Sequence, residues 1–179
     1  ADSGIKDILI TNQIVSEYKL NIIADLLNRA KVAFLVDGVY GVELAQRVAG
    51  ERNVMFDLFI EVNSGLNRCG VNTPSVAVDL AMKISQSANL RLAGLQAYNG
   101  STSYIKDITE RASACAATAK RICEYADALR PLFGSLFITG AGSANMAFMA
   151  KEGAVNEAQC GSYVFSDTCY SKLLPECGS

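Results

Sequence analysis

Histidine and tryptophan are missing from the 179-residue chain, proline occurs only three times, and only 19% of the residues are charged. The absence of histidine, together with six cysteines (69, 115, 123, 160, 169 and 177) that form no Cys-x-x-Cys pair, argues against a structural zinc site. Lysine and arginine stand singly rather than in clusters and the formal net charge is -2, which argues against nucleic acid or an anionic membrane surface as partner. No apolar run approaches the roughly 20 residues of a membrane helix, and Ala1-Asp2-Ser3-Gly4 is no signal peptide, so no membrane segment is expected. The cysteines are expected to be reduced and the protein cytoplasmic, with Cys115 and Cys123 buried as small hydrophobes on a helix.

What is present is an alternation of short apolar runs and amphipathic ones. Asp7 to Ile10 is read as a strand ending at Thr11-Asn12-Gln13, and the helix after it, from about Val15 to Arg29, puts Leu20, Ile23, Leu27 and Ala30 on one face. Lys31 to Val36 is the second strand, ending at Asp37-Gly38, and Gly41 to Val48 a short helix closed by Gly50. Met55 to Val62 has few charges and no helical spacing, as befits a strand buried on both faces. It empties into Asn63-Ser64-Gly65-Leu66-Asn67-Arg68-Cys69-Gly70, and Thr73-Pro74 then opens a helix to about Ser87, with threonine as cap and proline in the first turn. Leu90 to Tyr98 is the fourth strand, followed by Asn99-Gly100-Ser101-Thr102 and a helix from Ile108 to Ala128. Leu136 to Ile138 is the fifth, followed by Thr139-Gly140-Ala141-Gly142-Ser143 and a short helix from Asn145 to Glu152, closed by Gly153. Either Val155 to Ala158 or Tyr163 to Phe165 supplies a sixth strand, and beyond Tyr170 periodicity is lost.

Six strands alternating with helices demand a parallel sheet with right-handed crossovers. A doubly wound sheet would carry its glycine fingerprint after the first strand, where Thr11-Asn12-Gln13 has no glycine. A (β/α)8 barrel instead spreads functional loops after many strands. The expected fold is therefore a partial (β/α)8 TIM barrel of about six βα units over residues 1–170, with 171–179 a link to something further.

Chemistry in such a fold sits at the C-terminal ends of the strands. Arg68, in a loop bracketed by Gly65 and Gly70, presents a planar fork suited to a phenolate, carboxylate or phosphate, and an ion pair with a neighbouring acid on the rim fits this stretch equally well. Thr139 to Ser143 offers successive backbone N–H groups, two hydroxyls and a helix N-terminus, a donor set suited to phosphate. No Gly-Lys-Ser follows, so it is not a Walker motif, and a tight turn that needs glycine for backbone reasons is the other reading. Tyr98 reads either as a platform for a planar ligand or as a core aromatic, and Gly161-Ser162-Tyr163 is a second small-residue turn able to complete a phosphate cup.

In order, and in register after consecutive strands, these residues resemble the fold type III pyridoxal-phosphate enzymes, the alanine racemase superfamily. Glu61 to Gly70 is similar to its Asp-x-Gly-x-x-Arg-x-Gly segment, and Asp7 to Asn12, Gly94 to Tyr98, Thr139 to Ser143 and Gln159 to Asp167 resemble D-threonine aldolases and 3-hydroxy-D-aspartate aldolases, with D-serine dehydratases as near kin. The resemblance implies a barrel of the alanine racemase N-terminal type that holds pyridoxal 5'-phosphate. It also implies a C-terminal β-domain with a divalent metal (Mn, Mg or Zn) and a homodimer with sites near the subunit interface. The implied reaction is lyase chemistry of the aldolase type, in which a D-3-hydroxyamino acid, D-threonine or 3-hydroxy-D-aspartate, is cleaved to an amino acid and an aldehyde. Dehydration of D-serine or D-threonine, or a non-catalytic cofactor-binding barrel, is the alternative. Carried over by position, Arg68 lies by the cofactor's phenolic oxygen and Tyr98 by its ring, while Thr139, Gly140, Gly142 and Ser143, completed by Ser162 and Tyr163, surround its phosphate. The resemblance puts the aldimine lysine upstream of Ala1 and the metal ligands in the β-domain, so no catalytic or metal-binding residue is assigned within the chain. Many of these aldolases have histidine where this chain has Asn99, and asparagine cannot act as a base near neutral pH.

An unclosed parallel barrel exposes two strand edges. Expressed alone, the 179 residues are expected to be poorly soluble or partly folded and to form no borohydride-reducible cofactor adduct at a single lysine. A soluble, cooperatively melting chain carrying such an adduct would overturn that expectation.

Overall fold

Successive side chains on a strand point to opposite faces, and in this protein the two faces meet different surroundings. The computed structural model describes residues 3–162 together with 164, 165, 168 and 173. Its strands are β1 (Asp7–Gln13), β2 (Lys31–Val36), β3 (Phe56–Glu61), β4 (Leu90–Ala97), β5 (Phe137–Gly140) and β6 (Glu157–Ala158). They are hydrogen-bonded in chain order, and every pairing is parallel. The connecting helices are α1 (Glu17–Leu26), α2 (Val39–Arg52), α3 (Pro74–Ser85), α4 (Ile108–Phe133) and α5 (Met146–Glu152). Right-handed crossovers in an unbroken strand order keep all helices on one side, so the sheet curls into a half-barrel rather than the reversing order of a doubly wound sheet.

The main core lies between sheet and helices. Val32, Phe34 and Val36 of β2 and Phe56, Leu58 and Ile60 of β3 pack there against Ala45, Val48, Leu80, Ile84, Ile122 and Leu129. The intervening residues face the concave side, where Ala33, Leu35 and Phe59 form a second cluster with Leu9 and Ala93. Phe59 and Phe137 meet edge-on across this trough at 6.4 Å, and its volume is about 660 Å³. Within β3 the inward residues are Asp57, Phe59 and Glu61: Asp57, towards the strand's N-terminal end, takes a two-pronged ion pair from Arg91 at 2.6 and 2.7 Å, and Glu61 ends the strand at the C-terminal mouth.

A register shift opposite Leu58 and Phe59, where β4 carries one extra residue at Ala93-Gly94, changes the phase of β4. Below it Ala93 lines the trough and Arg91 pairs with Asp57, whereas above it Leu95 and Ala97 turn to the helix core and Gln96 to the concave side. Gly94 sits where no side chain fits, because a Cβ there would lie 2.1 Å from the Phe137 carbonyl oxygen.

Several boundaries differ from the expected ones. β1 runs on to Gln13, and α1 closes at Leu26 instead of Arg29. The second helix starts at Val39 and continues through Gly50 to Arg52, because Asn53 takes the left-handed cap conformation (φ 51°) that had been assigned to the glycine. The long helix runs to Phe133, passing Pro131, and ends at Gly134. The sixth strand is the Val155 to Ala158 alternative; Tyr163 lies outside the described residues. Cys115 is buried as expected, but Cys123 is exposed, since eight positions turn it about 80° round the helix. No helix among the described residues is long and apolar enough to cross a membrane.

Replacing Gly94 by alanine is expected to cost about 3 kcal/mol or more, because both neighbours of the new methyl are strand backbone or packed ring. Chemical denaturation measures it, and an unchanged midpoint would contradict the close approach of β4 and β5.

Candidate functional site

At the C-terminal mouth the inward residues of the strands are polar, and they hold one another. Gln13 of β1 reaches across with Nε2 to Asp37 Oδ2 at the end of β2 (3.2 Å) and to Glu61 Oε2 of β3. Gln96 of β4 and Gln159 exchange side-chain amide bonds, one of them 3.1 Å. Gln159 also donates to Thr139 Oγ1 at 3.1 Å, and the Thr139 hydroxyl donates to Glu157 at 2.8 Å. Thr139 is therefore fully buried in this layer rather than offered to the loop above it.

The arginine loop rises from β3 through a closed neck. Asn63 N–H donates to the Val71 carbonyl and Val71 N–H to the Glu61 carbonyl, each at 2.9 Å, and Tyr125 of α4 donates its hydroxyl to the same Val71 oxygen at 2.9 Å. Inside, Asn63 organises the chain: its Oδ1 accepts the N–H groups of Gly65 and Asn67, both at 3.1 Å, and its Nδ2 donates to Asn67 Oδ1 (2.9 Å) and Asn72 Oδ1 (2.8 Å). An aspartate, the residue that opens the corresponding motif in the family this loop resembles, could make only the first two. Gly70 completes the turn at φ 92°, with its N–H donating to Asp37 Oδ2 at 3.1 Å. A Cβ at Gly70 would meet the Asn63 nitrogen at 2.8 Å, so only glycine fits.

Arg68 leaves this loop for the solvent side. Its guanidinium is 58% exposed, whereas Glu61, 3.6 Å from Nη2, is buried. Both readings of the arginine thus meet in one residue, an exposed donor fork beside a buried acid. Its Nε–H points at Cys69 Sγ (3.4 Å), and the Cys69 thiol in turn donates to Glu61 Oε1 at 3.1 Å. The bond to sulfur and the charge of Glu61 hold the Arg68 guanidinium protonated above its ordinary range. Burial pushes the Cys69 thiol up, so it stays neutral at physiological pH.

Tyr98 joins the two loops. It lines a narrow crevice with Glu61, Ser64, Leu66, Arg68 and Cys69. On its other side its hydroxyl lies 3.2 Å from where a Cβ of Gly142 would stand. Its neighbour Asn99 turns inward: Oδ1 accepts from Ser101 N–H and hydroxyl, and Nδ2 donates to Thr118 of α4 at 3.0 Å. Asn99 caps the 3-10 turn Gly100–Tyr104, and its Nδ2 lies against Gly65 of the arginine loop, where a Cβ would stand 2.8 Å away.

In the glycine loop, Gly140 is still part of β5, where a Cβ would lie 2.4 Å from the Ala97 carbonyl oxygen; its glycine serves strand packing. Ala141 has a positive φ of 66°. The Gly142 N–H is already taken, donating to Asn145 Oδ1 at 2.7 Å, while Asn145 Nδ2 ties the loop to Thr102 and the Asn99 carbonyl. Ser143 Oγ is buried without a hydrogen-bond partner among the described residues, as are Ser64 Oγ and Ser103 Oγ. These three hydroxyls lie in the segments that follow β5, β3 and β4, at the end of the sheet where Arg68 and Tyr98 lie. Ser162 is half-buried beyond β6, and Tyr163 lies outside the described residues.

Gln13, Asp37, Asn63, Gln96, Asn145 and Gln159 were not singled out from sequence. The strand phase that places Glu61 inward was a usable signal; the Gln96–Gln159 pair, which joins positions 63 residues apart, had none. Of the lysines, Lys31 pairs with Asp7 at the opposite, N-terminal end of the sheet and Lys83 with Glu43 between helices.

A family profile described as the alanine racemase N-terminal domain matches residues 4–169. A D-threonine aldolase of Arthrobacter sp is 33% identical over 169 residues, which are 94% of this chain and 45% of that protein. A 3-hydroxy-D-aspartate aldolase of Paracoccus denitrificans (strain Pd 1222) is 31% identical over 175 residues, 97% of this chain and 45% of that one. The crystal structure of D-threonine aldolase from Filomicrobium marinum superposes with a TM-score of 0.91 at 34% identity, covering 96% of this chain and 47% of that chain. The chain spans less than half the length of the curated relatives it matches.

Removing the Asn63 side chain is expected to cost about 2–4 kcal/mol of loop order, since four hydrogen bonds go with it. In Asn63→Ala the amides of Gly65 and Asn67 should exchange with solvent faster while those of β2 and β3 hold; equal exchange in all would deny Asn63 this role. At pH 8 iodoacetamide should label exposed Cys123 before Cys69 and Cys115, whose thiols burial pushes up, a sequence that peptide mapping reads directly.

Proposed function

The chain belongs to the alanine racemase N-terminal domain family, and from that premise we propose that it is the cofactor-binding barrel of a pyridoxal-phosphate-dependent aldolase acting on D-3-hydroxyamino acids. The observation that carries the reading is that Arg68, Tyr98 and the glycine loop, distant in sequence, lie at the C-terminal ends of adjacent strands β3, β4 and β5. The donor set suits the cofactor. Arg68 offers an exposed fork for the ring's phenolic oxygen, and the Tyr98 ring stands between that fork and the glycine loop. Ser143, buried and unpartnered, would donate to the phosphate beside Gly142, with Ser162 and Tyr163 closing the cup. Thr139 and Gly140 would act one step back, since both are engaged within the sheet.

When bound, pyridoxal phosphate supplies an electron sink for the carbon at which the substrate bond breaks. This chain's part is to hold and orient. Arg68 would keep positive charge against the ring oxygen, and Glu61 and Cys69 keep Arg68 in place. The base that takes the substrate's hydroxyl proton is not Asn99, whose amide is spent on Ser101 and Thr118. That base, the lysine that carries the cofactor and the divalent metal would come from the remainder of the full-length protein. We further assign residues 1–170 to the barrel and 171–179 to the link, and infer a cytoplasmic homodimer, from the aldolase likeness and the free thiols.

Incubating the full-length protein with D-threonine, D-serine and 3-hydroxy-D-aspartate tests the reading. Glycine with an aldehyde is the expected product pair from D-threonine; a keto acid with ammonia would replace cleavage by dehydration. Arg68→Leu should leave the melting temperature nearly unchanged, because the side chain is largely exposed, and weaken cofactor binding about 10- to 100-fold, the worth of a charge-assisted hydrogen bond. Gly142→Val should likewise raise the cofactor's dissociation constant by displacing Tyr98. Unchanged affinity in both variants would remove the site from these loops.

A further inference from the structure

We propose that Glu61 is a positioning residue, which aims the Arg68 fork at the ligand and sets how much of its charge the ligand meets; this rests on the cofactor reading above. Strand phase makes Glu61 the last inward residue of β3, and its side chain is 5% exposed against 58% for Arg68. A carboxylate is costly to bury unless donors surround it. Here Oε1 receives the Cys69 thiol at 3.1 Å and lies 3.6 Å from Arg68 Nη2, while Oε2 receives Gln13 Nε2. Gln13 is itself fixed by Asp37, whose Oδ2 also accepts the Gly70 N–H at the far end of the arginine loop. The acid is thus tied, directly or through Gln13, to β1, to Asp37 after β2 and to the closing residues of the loop, whereas among the described residues the arginine it holds is tied to the acid and to Cys69.

A merely structural ion pair is poorly served by this arrangement. A pair with one exposed partner contributes little to stability, and an amide at position 61 would still accept from Gln13 or from Cys69, though not from both. What an amide cannot do is hold a cation by charge. The buried acid therefore acts on the direction and field of Arg68. Gln13 and Cys69 act one step further out, holding the acid.

The test uses the full-length protein and its Glu61→Gln, Arg68→Leu and double variants. In the cofactor-free state, exchange of the Arg68 Nε–H, followed by nitrogen-detected NMR, should quicken in Glu61→Gln while the melting temperature stays close to wild type. Titration with pyridoxal phosphate, followed by its visible absorption, should show about fivefold weaker binding in Glu61→Gln, the upper range for a pair with an exposed partner. In the Arg68→Leu background the same change should have no further effect, since Glu61 acts through Arg68. An equal weakening in both backgrounds, or an Arg68 Nε–H indifferent to Glu61, would overturn the proposal. If Glu61→Gln does not fold, Glu61→Asp retracts the charge by one carbon and takes its place in the same comparison. Binding that ignores Arg68 altogether would instead remove the cofactor reading, and the exchange comparison would still decide whether Glu61 holds the arginine.

Discussion

Every functional placement in this protein follows from one constraint: a residue on a curled parallel strand must point either into the helix layer or into the concave trough. β3 obeys it for six residues, sending Phe56, Leu58 and Ile60 to the core and Asp57, Phe59 and Glu61 inward. The same strand therefore carries a charge pair near its start, an aromatic filler in the middle and an acid at the mouth. β4 would break that layering were it regular. The extra residue at Ala93-Gly94 resets its phase so that Gln96 joins the upper layer, and the glycine is what lets β5 approach there.

The mouth is a layer in which amides carry most of the load. Gln96 and Gln159 can each donate and accept, so they satisfy one another across strands without adding charge, while Gln13 donates to Asp37 and Glu61. The consequence is electrostatic. Glu61 and Asp37 are drawn together there by Gln13, Glu157 sits on Thr139 further along, and Arg68 is the cation that meets Glu61. A field set by so few charges is sensitive to each of them, and low dielectric magnifies it.

Much of this architecture was legible in the sequence because strand and helix periodicities are local. β2 and α3 fall where apolar spacing, the Thr73 cap and Pro74 put them, and the absence of glycine at Thr11-Asn12-Gln13 favours the barrel, the architecture the strand order bears out. Local patterns misled where an unusual residue served a usual purpose, as when Asn53 rather than Gly50 closed α2. The polar layer was illegible because its partners are joined only by the fold: nothing near Gln13 announces Glu61, and nothing near Gln96 announces Gln159. Within the glycine loop the residues looked alike but have separate tasks. Gly140 admits a neighbouring strand, Gly142 lies against Tyr98, and Thr139 belongs to the layer beneath.

The pinched neck below the arginine loop makes that loop an interchangeable cassette. Two backbone bonds close its base, and Tyr125 fixes the closing residue from α4, so α3 receives the chain at Val71 in one position whatever lies between. Residues 64–69 are thereby relieved of any duty to connect strand to helix. Over evolutionary time, or in a designed library, their composition can drift to suit a different ligand while β3 and α3 keep their packing, much as a drill accepts new bits in an unchanged chuck.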